Sequence, residues 1–290
     1  MGKHKHAFGG EWTKLKLDMV RKYLQFYVTA LSKQKFTLVY LDAFAGTGYL
    51  DRLDDEDQRL LDLPQLRGSL AGSAQNALRT KPPFHRYMFV DRDRKHYAEL
   101  RQMVQNSFPG LSSRVTVHCG DANSLLPEYC ASMGTKERAV LFLDPYGLQV
   151  RWDTVHTIAS TQRIDMWYLF PLGIAVNRLL RKDAQVRESE RAKLDTLLGE
   201  SGWYDTFYKA FKQTNLFGET ETVFEKCSVA SIARYFCNRL KTVFPGVAES
   251  YRLLYNSKNN PLFVLYFAMG NPAFKAQNLA LKAASSILED

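Results

Sequence analysis

The chain has 290 residues, 46% apolar and 24% charged, an ordinary globular composition that can bury a sizeable core. Its 39 Lys and Arg against 30 Asp and Glu give a formal charge of +9, which points to an anionic partner, nucleic acid first. No apolar run approaches the roughly 20 residues that span a bilayer. Met1–His6 lacks the apolar region of a signal peptide, and the four cysteines show neither C-x-x-C pairing nor metal-ligand spacing, so a cytoplasmic protein with reduced thiols is expected.

Basic residues gather at the start: residues 1–35 hold eight Lys or Arg and two acids. Residues 13–33 read as an amphipathic helix, with Leu15, Met19, Tyr23, Phe26 and Ala30 on one stripe and Lys14, Lys16, Arg21 and Lys22 outside it. A strand, Thr37–Leu41, runs into the turn Asp42-Ala-Phe44-Ala-Gly46-Thr-Gly48. A polar, acidic stretch over 50–71 is expected to loop over a crevice, and helix resumes at Ser73–Arg79. Strands Tyr87–Val90, Val115–Cys119, Ala139–Leu143 and Ile164–Phe170 follow, with helices over 93–106, 122–132 and 152–160 between and after them. That alternation predicts right-handed crossovers in a doubly wound parallel sheet.

After Pro171 the alternation breaks. Residues 172–241 read as wholly helical, in segments 173–183, 187–199, 203–213 and 224–241. Glu249–Tyr255 and Leu262–Met269 read as an antiparallel hairpin, and a last helix covers 273–287. A competing reading makes 224–269 a winged-helix unit with that hairpin as its wing; it requires the hairpin to stay off the main sheet.

Four apolar strands each end in an acid: Asp42, Asp91, Asp121 just after the third, and Asp144. Gly46 and Gly48 let the backbone turn tightly against a ligand, while the absent third glycine argues against a dinucleotide. An acid at the end of the second strand, Asp91, suits the two ribose hydroxyls of an adenosine ligand. Asp121 can accept from an adenine amino group while the Ala122 amide meets a ring nitrogen; the plainer role for Asp121, and for nearby Asp93, is a helix N-cap. No cysteine lies near Asp144, which argues against cytosine C5 chemistry. His85, His96, His118 and His156 are isolated and read as structural. Arg178, Arg181, Lys182, Arg187, Arg191 and Lys193 form a basic stretch that suits phosphate contacts or a solvated face.

Five parallel strands closed by a reversed hairpin resemble class I S-adenosyl-L-methionine (SAM)-dependent methyltransferases. The fold class expected is α/β, a doubly wound Rossmann-like class I methyltransferase sheet with a terminal antiparallel β-hairpin and a helical insertion. Asp144-Pro145-Tyr146-Gly147 is similar to the D/N-P-P-Y/F/W turn of amino-methyltransferases acting on bases, with the tyrosine one residue early because a single proline precedes it. Lys16-Leu17 with Lys22-Tyr23-Leu24, Tyr40 to Gly48, Gly72-Ser73, Phe89-Val90-Asp91 and Leu141 to Gly147 together resemble the three-Cys-motif partner (TcmP) family, over most of the chain. Its members are methyltransferase-like proteins found beside a radical-SAM-type protein bearing a three-cysteine motif. A more distant likeness is to rRNA adenine-N6 methyltransferases, whose catalytic acid Asp144 would match.

These resemblances imply SAM as cofactor, bound by Asp42, Phe44, Gly46, Gly48, Asp91, Asp121 and Ala122, and catalysis by Asp144, Pro145 and Tyr146 on an amino nitrogen of a nucleic-acid base. The partners implied are DNA or RNA and a radical-SAM-type three-Cys-motif protein. The alternative is a non-catalytic partner protein docking on that protein or on nucleic acid. The expected division is 1–36 N-terminal helical segment, 37–171 SAM-binding core, 172–246 helical insertion for target or partner recognition, and 247–290 completing the core.

Overall fold

The computed structural model describes residues 10–47, 72–214 and 220–290, so Gly48 and the acidic stretch expected to loop over the crevice lie outside the described residues. Five strands, β1 (Thr37–Asp42), β2 (Arg86–Asp91), β3 (Val115–Cys119), β4 (Glu137–Leu143) and β5 (Ile164–Phe170), pair in parallel in the spatial order 3-2-1-4-5. The central β4 and β5 are almost continuously apolar and buried, as strands covered on both faces must be.

The last long strand, β10 (Pro261–Met269), runs antiparallel to β5, with Tyr266 opposite Tyr168. Its outer edge carries β8 (Gly246–Val247) and β9 (Arg252–Tyr255), both antiparallel to it. The expected hairpin therefore exists and completes the main sheet, which removes the winged-helix reading: the apolar residues of β10 fill the core and leave no separate wing.

Alternate residues of β1 serve opposite layers, as strand geometry dictates. Leu38 and Tyr40 pack with Tyr23 and Leu24 of α1 (Gly10–Leu31), Ala77 of α2 (Ser73–Leu78), Leu100 of α3 (Arg94–Ser107) and Ala284 of α9 (Phe274–Glu289). Val39 and Leu41 pack with Leu126 of α4 (Ala122–Ser132), Ile158 of α5 (Trp152–Ser160), Leu194 of α6 (Glu188–Leu198), Trp203 of α7 (Trp203–Phe207) and Phe236 of α8 (Val229–Lys241).

The buried face of α1 differs from the expected stripe. Leu15 and Phe26 are only half-buried and Ala30 is exposed, whereas Lys16, Val20, Tyr23, Leu24, Tyr27 and Val28 are buried. The face is turned by about one residue, which brings Lys16 inside. Two polar contacts set it. The Tyr23 hydroxyl donates to Asp165 Oδ2 at 2.8 Å near the start of β5, and Lys16 pairs with Asp144 at the opposite edge.

The wholly helical reading of 172–241 fails at 208–226. There β6 (Tyr208–Thr214) and β7 (Thr220–Lys226) form a two-stranded antiparallel ribbon. Trp203, Phe207 and Phe211 mimic helical spacing, but Thr214, Thr220, Thr222, Val223 and Phe224 are β-branched or aromatic and favour the extended form. Trp203, Phe207 and Tyr208 are buried, while Phe211 and Phe224 are exposed.

After β5 the chain passes Pro171 into a widened helical turn, Leu172–Val176, that lies against the start of β10. A Cβ added at Gly173 would stand 1.8 Å from the Pro261 carbonyl oxygen. Gly173→Ala should therefore destabilise the protein by about 1–3 kcal/mol in urea unfolding, whereas Gly110→Ala, in open space, should cost no more than a few tenths.

Candidate active site

Parallel pairing aligns the carboxyl ends of four neighbouring strands. Asp42 sits opposite Phe89 and Phe142, and Asp91 opposite Cys119. With strands about 4.8 Å apart, the acids follow the order 121, 91, 42, 144 along one edge. Open α/β sheets bind ligands at this edge.

Asp91 joins two loops. Its Oδ2 accepts the Gly46 amide at 3.0 Å, and its Oδ1 accepts the Asp93 amide at 2.8 Å. Gly46 has φ +58, a conformation that favours glycine. The Ala45 amide donates to the Val90 carbonyl and the Gly120 amide to the Asp91 carbonyl, both at 3.0 Å, so the loops after β1, β2 and β3 are laced together. The Asp91 residue is 6% exposed, and each oxygen keeps a lone pair beyond its amide. Two ribose hydroxyls fit that acceptor pattern. His96, which the sequence shows only as isolated, brings Nδ1 to 3.4 Å from Asp91 Oδ1. Asp93 is the N-cap of α3, accepting from the Lys95 and His96 amides.

Asp42 lies beneath the glycine turn and is completely buried. The Tyr40 hydroxyl donates to its Oδ2 and the Phe44 amide to its Oδ1, each at 3.3 Å. Burial pushes its carboxyl up to about 7; the Asp144 carboxylate adds to this, while hydrogen bonds from Ser73, Phe44 and Tyr40 oppose it. Asp42 thus braces the turn from below, and half-buried Phe44 packs against the core beside it.

Asp121 is exposed and caps α4, accepting the Asn123 amide at 3.1 Å; Ala122, the first residue of that helix, is buried. Asn123 is a residue that sequence reasoning missed. Its Nδ2 donates to Asp121 Oδ1 and the Gln149 carbonyl, and its Oδ1 accepts the Arg151 amide and the Thr154 hydroxyl. One amide side chain therefore ties the loop after β3 to the loop after β4. Its place in Cys119-Gly-Asp-Ala-Asn123, one residue inside a helix start, is the only sequence signal.

In the loop after β4, Pro145 is buried, Tyr146 is 44% exposed and Gly147 has φ +70. Asp144 Oδ2 receives the Lys16 ammonium from α1, and the Asp144 side chain is 24% exposed against 8% for Lys16. The sequence offered no reason to join residues 128 positions apart, and Lys16 was expected outside the buried stripe.

No protein-family model matches the chain, and no curated protein sequence matches it. Among solved structures, a Legionella pneumophila protein is 15% identical, with 98% of this chain and 94% of that one covered and a TM-score of 0.41. A candidate SAM-dependent methyltransferase from Listeria monocytogenes is 10% identical, covering 88% and 98%, with a TM-score of 0.37. A SAM-dependent methyltransferase from Clostridium acetobutylicum is 11% identical, covering 87% and 92%, with a TM-score of 0.35. Likeness at this level adds nothing to what the strand order says by itself. The fold is Rossmann-like, of the class I methyltransferase type. The reversed β10 between β5 and the edge pieces distinguishes it from the dehydrogenase version. No helix among the described residues is long and apolar enough to cross a membrane.

The Asp42 carboxyl has a folded pKa above its ordinary 3.8. The folded state therefore keeps a proton that the unfolded chain releases, and the stability this group contributes falls as pH rises from about 4 to about 7. In denaturant titrations across pH, Asp42→Asn should gain stability relative to wild type over that window, and the difference should level off above it. A pH-independent difference would contradict the buried, proton-holding carboxyl.

Proposed function

We propose that the chain transfers a methyl group from SAM to an amino nitrogen of a nucleic-acid base. The observation that carries this reading is the Asp91 joint, a nearly buried carboxylate that fixes the glycine turn and keeps acceptor capacity at the ligand-binding edge. SAM supplies an electrophilic methyl group on a sulfonium. Asp91 would take the ribose hydroxyls, Asp121 and the Ala122 amide the adenine, and Gly46 and Gly48 the methionine portion. Asp42 and Phe44 would keep that turn in shape.

Asp144 would accept an N–H of the acceptor amine and so aim the nitrogen lone pair, Tyr146 would stack on the base, and Pro145 would hold the two in register. Bound SAM would supply the methyl group with a neutral thioether as leaving group, and the surplus amine proton would pass to water. Most of the rate gain would come from positioning. A base within a duplex would have to be flipped out. Exposed Arg178, Lys182, Arg187, Arg191 and Lys193 supply cations for phosphate contacts. The single proline before Tyr146 favours a second reading, a non-catalytic TcmP-like partner docking on a radical-SAM-type three-Cys-motif protein or on nucleic acid.

In calorimetry, wild type should bind SAM and Asp91→Ala should bind about tenfold or more weakly, the worth of one hydrogen bond to a charged group. Failure of the wild type to bind would turn the account to the second reading. With tritiated SAM and DNA, tRNA or rRNA, Asp144→Ala should lose about a hundredfold or more of transfer while SAM affinity holds; retained transfer would remove Asp144 from the mechanism. Affinity for nucleic acid should fall linearly in log–log form with salt, and a flat profile would contradict phosphate contacts.

A further inference from the structure

We infer that Lys16 is the residue that positions Asp144 for the acceptor amine, holding one carboxylate oxygen in a half-buried ion pair and leaving the other for the acceptor's N–H. This rests on the proposed amino-methyl transfer.

Lys16 occupies a core position of α1. Tyr23, seven residues on and so on the same face, bonds Asp165 near the start of β5, while Lys16 reaches Asp144 beyond the end of β4. The helix thus crosses the sheet with its N-terminal half at the ligand-binding edge. Trp12, one turn before Lys16, stacks on Phe263 of β10 with ring centroids 4.9 Å apart, and the Lys16 ammonium lies 5.1 Å from the Trp12 ring centroid. The cation has an aromatic face on one side and a carboxylate on the other.

Such a pair is a poor way to stabilise a core, because apolar residues of similar volume usually do as well or better. Its chemistry suits the edge instead. Asp144 interacts unfavourably with the Asp42 carboxyl beneath it, and the Lys16 charge offsets that repulsion. Lys16 holds Oδ2, and a carboxylate carries a second oxygen with its own lone pairs to offer an N–H. A neutralised, oriented carboxylate accepts an amine N–H in fixed geometry, which a lone carboxylate with free rotation would not do.

The test compares full-length wild type, Lys16→Met, Lys16→Arg and the double variant Lys16→Met/Asp144→Asn. SAM affinity by calorimetry and transfer of tritiated methyl to rRNA and tRNA are measured for each. Lys16→Met should keep SAM affinity within about twofold yet lose about a hundredfold in kcat. Lys16→Arg should retain a substantial part, and the double variant, which removes the unpaired charge and keeps an acceptor oxygen, should recover about tenfold or more over Lys16→Met. The double variant also serves if Lys16→Met does not fold. Transfer by Lys16→Met within about threefold of wild type, or faster than wild type, would overturn the role of Lys16 alone. A wild type that binds SAM but transfers nothing would overturn the amine-transfer reading, and this role with it.

Discussion

The Asp91 carboxylate is the joint on which the carboxyl edge of the parallel sheet depends. Its two oxygens each take a backbone amide, one from the turn after β1 and one from the turn after β2. Its own carbonyl takes the Gly120 amide from the loop after β3. Buried amides cannot go unpaired without cost, so a single residue, through its two carboxylate oxygens and its carbonyl, fixes where three loops lie. Asn123 repeats the device between the loops after β3 and β4. The loops along this edge are fastened to one another as well as to their strands.

Four acids along one edge would repel one another if all were ionised and desolvated. Each is managed differently. Asp91 is compensated by amides, and Asp121 sits exposed at a helix N-terminus, where negative charge is favourable. Asp42 is buried, bonded to two hydroxyls and an amide, and pushed toward neutrality. Asp144 is paired with a lysine from a distant helix. Asp121 is thus exposed and Asp144 half-buried, while Asp42 supports the turn from beneath.

Much of this was legible in the sequence. The five parallel strands could be read because short apolar runs, four of them closed by an acid, alternated with helical periodicity. The terminal hairpin could be read from two strand-like runs around Asn256–Pro261. The capping roles of Asp93 and Asp121 followed from their places just before helices. What stayed hidden depended on contacts remote in sequence. Lys16 looked like one more solvated lysine, because its burial is decided by Asp144 and Trp12 rather than by its neighbours' periodicity. Tyr23 met the helical pattern as an apolar residue, and nothing local announced the Asp165 carboxyl beneath it. The ribbon of β6 and β7 was mistaken for helix because aromatic spacing over 203–211 matches a helical turn, whereas strand pairing between 208 and 226 is a property of two segments together.

The central claim is that the Asp91 joint forms the floor of an adenosyl site. A crystal structure of the protein grown with SAM tests it most directly. The ribose hydroxyls are expected on the Asp91 oxygens, with Gly46 against the methionine portion. SAM bound elsewhere, or Asp91 left holding only its two amides with the edge closed over by side chains, would contradict it.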